Sequence, residues 1–311
     1  SYFLLTLKPF FVTSVPSILL SITTITLNIF VINYYRKGEL SLVPFLYTMI
    51  ASADILTAVG VIHQSVAFSL VTKGVIGKNS IDIHAVVFYT VIQISYRSSV
   101  FYNLVLAVSR TVMILRPFVQ IKIGAVKVAC ILYIVPWLIL AALDIHQFYL
   151  VQNQFVGPLY INYAFSIGAS IFYYFDYTDA LFYLFSYLPQ MIAFIIPVLI
   201  IFITCVVQLV SLHRSSRFPA SNNQRHVTIT VILLSTLFIV CNSAFHGLIL
   251  YLYNTNNFHI YNIAAVLGTG LPILNAALNP IIIITRSNGL RVKFEETMRQ
   301  IKSLCMVRWQ R

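Results

Sequence analysis

Residues 43–71 read VPFLYTMIASADILTAVGVIHQSVAFSLV, and Asp54 is the sole formally charged residue among them. A hydrocarbon layer about 30 Å thick takes roughly 20 apolar residues to cross as a helix. Lipid offers no partner to backbone N–H and C=O groups, so a run of this kind must satisfy them internally and is read as a helix. Six more stretches of the same character occupy Phe10–Tyr35, Ala85–Leu115, Ala125–Phe148, Ala180–Leu212, Val227–Tyr253 and Tyr261–Thr285. The connections are short except one, Tyr149–Asp179. The expected fold is therefore an all-α membrane protein: a seven-transmembrane helix bundle over residues 1–286, with a short amphipathic helix and tail over residues 287–311 on the inner membrane face.

The composition agrees. The 311 residues are 59% hydrophobic and 9% charged, with mean hydropathy +0.87, against about 25% charged in a soluble domain. The net charge of +12 invites a nucleic-acid reading, but its placement argues against one. When alternate connections are assigned to opposite sides, 16 of the 20 basic residues fall after the first, third, fifth and seventh stretches. Only Lys8, Lys73 and Lys78 lie on the other side, and Arg97 is inside a stretch. Basic flanks stay cytoplasmic, which puts the N-terminus outside and the C-terminus inside. Attraction to anionic lipid accounts for the basic tail, and nucleic acid is not an expected partner. The first stretch is read as a span, being too long for a secretory leader and lacking a small-residue cleavage site.

None of the four cysteines, Cys130, Cys205, Cys241 and Cys305, lies in an outer connection, so no structural disulfide is expected there. Beyond Ser287-Asn-Gly, the apolar residues Leu290, Phe294, Met298, Ile301 and Cys305 recur every three or four positions among charged ones. That spacing predicts a helix lying on the membrane, with Ser287 as its cap; the alternative is an ordinary soluble tail helix. Cys305 is a candidate for lipidation or a plain free thiol. The long outer connection is rich in Tyr and Phe and carries no basic residue.

Polar residues inside the stretches narrow the class. In order they are Asn28; Asp54 within Ser52-Ala-Asp54-Ile-Leu; Ser109-Arg110-Thr111 followed by Leu115-Arg116-Pro117-Phe118; Trp137; Pro197; Phe238-x-x-Cys241-Asn242; and Asn275-x-x-x-Asn279-Pro280. This set resembles the rhodopsin-like G-protein-coupled receptors along nearly the whole chain. The short loops, the Ser-Arg-Thr triplet and the aromatic outer connection look most like nematode serpentine chemoreceptors.

The resemblance implies several roles. Asp54 would meet Ser99, Asn275 and Asn279 in a mid-bundle polar pocket, where family members hold a sodium ion; a water network with no ion is the alternative. Arg110 would be the switch that the sixth helix releases toward a heterotrimeric G protein, or else a side chain that merely snorkels to phosphates. Pro197, Phe238, Asn279 and Pro280 would serve helix motion and coupling. Ser109 and Gln224 are not acidic, so the restraining ion pair of some relatives cannot form, which predicts basal activity. Asn242 and Ala244 stand where relatives have tryptophan and proline, and Ile283 stands where they have tyrosine. Ala85 replaces a cysteine often bridged to the outer loop.

An extracellular ligand, an odorant-like small molecule or a peptide, would enter between the third, fifth, sixth and seventh helices. Candidate lining residues are Tyr89, Gln93, Tyr96, Arg97, His246 and Tyr253. Arg97 lies 13 residues before Arg110, or about 20 Å along a helix. A buried guanidinium needs a partner: an anionic ligand, or internally Asp54 or Asp144. The expected function is thus a chemosensory receptor of the plasma membrane, for instance of a sensory cilium, that needs no cofactor beyond a possible sodium ion. A transporter or channel is the alternative, although no internal repeat is visible. No histidine has a partner at metal-site spacing, so an enzyme is not expected. The seventh stretch has no lysine for a retinal Schiff base.

Overall fold

A computed structural model describes residues 2–36, 41–72, 78–116, 121–131, 134–135, 195–215, 222–254 and 258–309, with side chains over a smaller part of these. The regular elements in these segments are helices. They are α1 (Tyr2–Tyr35), α2 (Leu42–Thr72) and α3 (Lys78–Leu115); α4, residues 123–131; and α5 (Ile196–Ser215), α6 (Asn222–Asn254), α7 (Phe258–Arg286) and α8 (Asn288–Trp309). Trp137, the long outer connection and its aromatic residues lie outside the described residues. Several helices begin earlier than hydropathy alone indicates. α3 starts at Lys78 rather than Ala85, and α6 at Asn222 rather than Val227, because a helix continues past the apolar region into its polar flanks. Five helices are long and apolar enough to cross a bilayer among the described residues, and Gly270–Arg286 of α7 is a shorter apolar run.

The two sides of each helix follow from what they face. α1 leaves Val15, Leu19, Ile22 and Ile29 uncovered, and α5 leaves Leu199, Phe202, Ile203, Val206 and Val210 uncovered. Both sets repeat at helical spacing, as lipid-facing stripes do. The inner faces of α2, α3, α5, α6 and α7 supply the core, including Ile50, Leu106, Ile201, Leu234, Phe238 and Ile283. Hydroxyls along the spans fold back on their own helices. Thr24, Thr48, Ser52, Thr57, Ser98 and Thr230 each donate to the carbonyl four residues earlier, which removes the cost of an unpaired hydroxyl in lipid.

Two details fix the helices against each other. Pro280 has no N–H, so the carbonyl of Ala276 loses its usual helical donor. Asn28 of α1 donates its Nδ2 to that carbonyl at 3.4 Å, and also to Thr24 O at 3.0 Å. Near the start of α2, Lys127 of α4 places its ammonium 5.6 Å from the centre of the Phe45 ring, a cation–π contact. Pro44 stands in the first turn of α2, where its missing N–H is no loss, and the carbonyl of Ser41 receives the Phe45 N–H.

α8 turns off α7 at Ser287. The Ser287 N–H still bonds Ile283 O, and its own carbonyl accepts the Arg291 N–H. Ser287 is thus the capping position, the residue at which α7 gives way to α8. Leu290 is fully buried, and Phe294 meets Phe30 edge-on at 5.3 Å. Met298 and Ile301 remain uncovered by protein. Arg291 and Arg299 flank Glu295 at 3.9 Å each, exposed pairs of little energetic weight.

Candidate functional site

The polar interior lies in two layers. In the first, Asp54 sits in the middle of α2, and burial strips it of water. Ser99 Oγ of α3 donates to Asp54 Oδ1 at 3.3 Å, and Asn279 Nδ2 of α7 donates to Oδ2 at 2.8 Å. One carboxyl group thereby joins three helices. Asn275 lies one turn before Asn279 on the same face of α7. The side-chain oxygens of Asn275 and Asn279 are buried and make no hydrogen bond with protein. Asn103, one turn beyond Ser99, donates to Ser99 O at 2.8 Å and leaves its own oxygen likewise unbonded. The layer therefore offers several oxygen acceptors and few donors. Such a set suits a hard cation or ordered water. Of the set the resemblance implies, Ser99 and Asn279 bond Asp54, while Asn275 lies one turn from Asn279; Asn103 lies one turn from Ser99 on α3.

The second layer is at the C-terminal end of α3. Arg110 is buried and donates Nε to Thr228 Oγ1 of α6 at 2.9 Å. It points into the bundle rather than out to a headgroup. Ser109 turns back to Leu106 O at 3.0 Å and takes no part. The α6 partner is Thr228, one turn further into the helix than Gln224. Beside it, Gln208 of α5 is fully buried and donates Nε2 to both Ala107 O and Thr111 Oγ1 at 3.0 Å, while its Oε1 has no partner in the protein. Tyr47 of α2 is also buried, with its ring 5.8 Å from that of Tyr35. α3 is thus tied to α5 by Gln208 and to α6 by Thr228 through neutral groups.

Further along α6 from Thr228 lie Phe238, fully buried, and Asn242, one turn later, which donates Nδ2 to Phe238 O at 2.7 Å. An amide occupies the position where an aromatic side chain is expected from the resemblance. Ile283 is buried on α7, so no α7 hydroxyl is present at that point. Pro197 is buried at the start of α5, and α7 carries Pro272 as well as Pro280.

Of the ligand-pocket candidates, Arg97 is half-buried and engaged by other groups of the protein. The side chains of Tyr89, Gln93, Tyr96, His246 and Tyr253 lie outside the described residues, as does that of Cys305. Cys130, Cys205 and Cys241 are buried free thiols. Thr228, Gln208, Tyr47 and Asn103 were missed at the sequence level. Gln208 and Asn103 carried a signal, being amides amid the apolar runs of α5 and α3; the other two had none beyond polarity.

Comparison with known families gives one match, to the model described as 7 transmembrane receptor (rhodopsin family), over residues 26–283. No match to a curated protein is found.

Proposed function

The chain belongs to the rhodopsin family of seven-transmembrane receptors, and from that premise we propose that it is a chemosensory receptor which couples an extracellular ligand to a heterotrimeric G protein. Membership of the family makes it an integral membrane signalling receptor. The finer reading rests chiefly on the buried Arg110 held to α6 by Thr228 at 2.9 Å. A cation buried at the inner end of the bundle is costly unless bonded, and among this one's interactions is a hydroxyl acceptor on a neighbouring helix. Moving α6 outward breaks that bond and lets the guanidinium turn to a partner at the inner face. A ligand shifts the bundle only by binding the released arrangement more tightly, and a coupling of about 1–3 kcal/mol is typical.

The distribution of basic residues supports an outer N-terminus and a cytoplasmic C-terminus, and the plasma membrane as the site of action. The ligand class is an odorant-like small molecule or a peptide, with Arg97 as the group that would receive an anionic or carbonyl-bearing part. The Asp54 layer fits a sodium ion: Asp54, Ser99, Asn275 and Asn279 are the residues that would hold it. Bound there, the ion would add positive charge among oxygens that otherwise lack donors.

The test is G-protein nucleotide exchange by the full chain in lipid nanodiscs, read without ligand and with a chemical panel across Gα classes. Arg110→Ala is the control that should abolish it. The reading fails if no Gα responds despite correctly inserted protein, or if Arg110→Ala exchanges nucleotide as fast as the parent.

A further inference from the structure

Asn103 is buried on α3, one turn beyond Ser99. Its Nδ2 donates to Ser99 O at 2.8 Å. A flipped amide would set two oxygens against each other there, so this bond settles which amide atom is which. Helical side chains lean toward the N-terminus of their own helix. The amide therefore lies over the turn that leads back to Ser99, whose Oγ donates to Asp54 Oδ1 at 3.3 Å. Asn279 is fixed in the same way, because its Nδ2 donates to Asp54 Oδ2 at 2.8 Å. The oxygens left over, Asn103 Oδ1 and Asn279 Oδ1, are buried and receive no hydrogen from the protein, and Asn275 Oδ1 is in the same condition. A buried acceptor without a donor is costly. Water in a site of this kind both gives and takes hydrogens, but Ser99 Oγ and the Nδ2 groups of Asn103 and Asn279 already point at Asp54 and at Ser99 O. A water whose lone pair rests on a cation has only hydrogens to give. Such waters match an oxygen-rich, donor-poor layer, and the cation balances the Asp54 carboxylate.

We propose that Asn103 is a further ligand residue of the Asp54 cation site, its Oδ1 taking a hydrogen from a water of the ion's shell. The role rests on the sodium reading put forward above and extends it one turn along α3. Four residues separate Asn103 from Ser99, about 6 Å at 1.5 Å per residue, a span that one water bridges. The bond from Nδ2 to Ser99 O holds the amide in place, so Oδ1 is presented without further ordering of the side chain. The ion would then draw on α3 at two heights, Ser99 and Asn103, as well as on α2 and α7.

The experiment uses the full chain in lipid nanodiscs and sodium itself as the probe, with NaCl replacing choline chloride at constant ionic strength and the thermal midpoint as the readout. Asn103→Thr and Asn103→Val differ by one oxygen at nearly the same shape. A threonine hydroxyl donates to the carbonyl four residues earlier, as Thr24, Thr57 and Thr230 do, so Asn103→Thr keeps both the bond to Ser99 O and an acceptor. Asn103→Val keeps neither. Asn103→Val is expected to raise the sodium concentration at half-effect about fivefold, the weight of one hydrogen bond, and Asn103→Thr to titrate like the parent. In choline chloride alone both should unfold close to the parent. If Asn103→Val does not insert, Asn103→Ala against Asn103→Ser repeats the comparison with one methyl group fewer. Unchanged sodium dependence in Asn103→Val, while Asp54→Asn abolishes it, overturns the role of Asn103 and leaves the sodium site standing. An equal loss in the valine and threonine variants does the same, because it assigns the effect to packing. A parent that responds alike to both salts overturns the site and the role together.

Discussion

Replacing Thr228 with valine isolates the bond that holds α6 to Arg110. The two side chains have nearly the same shape, so no cavity opens and Leu234 and Val231 nearby keep their packing. What is lost is one acceptor, 2.9 Å from Arg110 Nε. A hydrogen bond to a charged group is worth about 1.5–3 kcal/mol in soluble proteins, and interhelical polar contacts in bilayers average about 0.6 kcal/mol with a maximum near 1.7. Arg110 has further interactions in the bundle, so the guanidinium is not stranded, and about 1–1.5 kcal/mol is the reasonable loss. That destabilises only the arrangement with α6 against α3, because the outward one lacks the bond in any case. The equilibrium between them shifts by the full amount, a factor of about 5–10 at 1.4 kcal/mol per decade. Basal nucleotide exchange should rise by that factor while the outward population remains a minority. Thr228→Ser, which restores the oxygen, should sit near the parent rate. Reduced or unchanged exchange by Thr228→Val, in protein that inserts normally and responds to Arg110→Ala, refutes the reasoning.

Three further outcomes follow from the same geometry. If the Asp54 layer holds sodium, the thermal midpoint rises with NaCl beyond its rise with choline chloride, by about 1.4 kcal/mol at tenfold excess over the dissociation constant. Asp54→Asn removes the difference, and an identical response to both salts in the parent rules the ion out. Gln208→Leu should change stability by less than about 1 kcal/mol, since it removes two donated bonds together with an unbonded buried oxygen. Gln208→Glu, which turns a carboxylate toward Ala107 O, should cost well over about 2 kcal/mol, and a denaturation series in detergent that ranks the two the other way discards the clamp. Gly289→Ala sets a methyl group against the Tyr34 hydroxyl and should loosen α8 by about 1–3 kcal/mol. Tyr34→Phe in the same chain should restore it, both measured as amide exchange along Asn288–Met298.

The architecture was legible because lipid imposes a simple rule: apolar length sets the span, and basic flanks mark one side. Asp54, Arg110 and Asn279 stood out for the same reason, since an ionisable or amide group amid apolar residues must have a partner. Hydropathy could not name that partner. Asn28 and Pro280 read as two separate features, yet one supplies the donor that the other removes from Ala276. Ser287 reads as a helix cap, and its backbone stands at that position, its carbonyl accepting the Arg291 N–H. Helix ends were displaced because polar residues extend a helix without changing its apolar length.

The least legible feature was the neutral character of the groups around Arg110. From sequence, the missing acid beside Arg110 implied a missing restraint. The structure replaces the ion pair with a threonine hydroxyl on α6 and a glutamine clamp from α5. Threonine is ordinary in a span, because its hydroxyl can bond its own helix, as Thr230 does; nothing in the sequence separates Thr228 from Thr230. The difference is rotational. Two residues further on, the helix has turned by about 200°, so the two side chains meet different neighbours, and only Thr228 reaches Arg110. A neutral acceptor is also the physically sensible choice where the switch must open. Parting two opposite charges in a low-dielectric interior leaves both uncompensated, whereas parting a guanidinium from a hydroxyl leaves a neutral group behind and one cation to re-solvate. On the proposed switch role, the contact is weaker for that reason, and a smaller ligand-binding difference would suffice to open it.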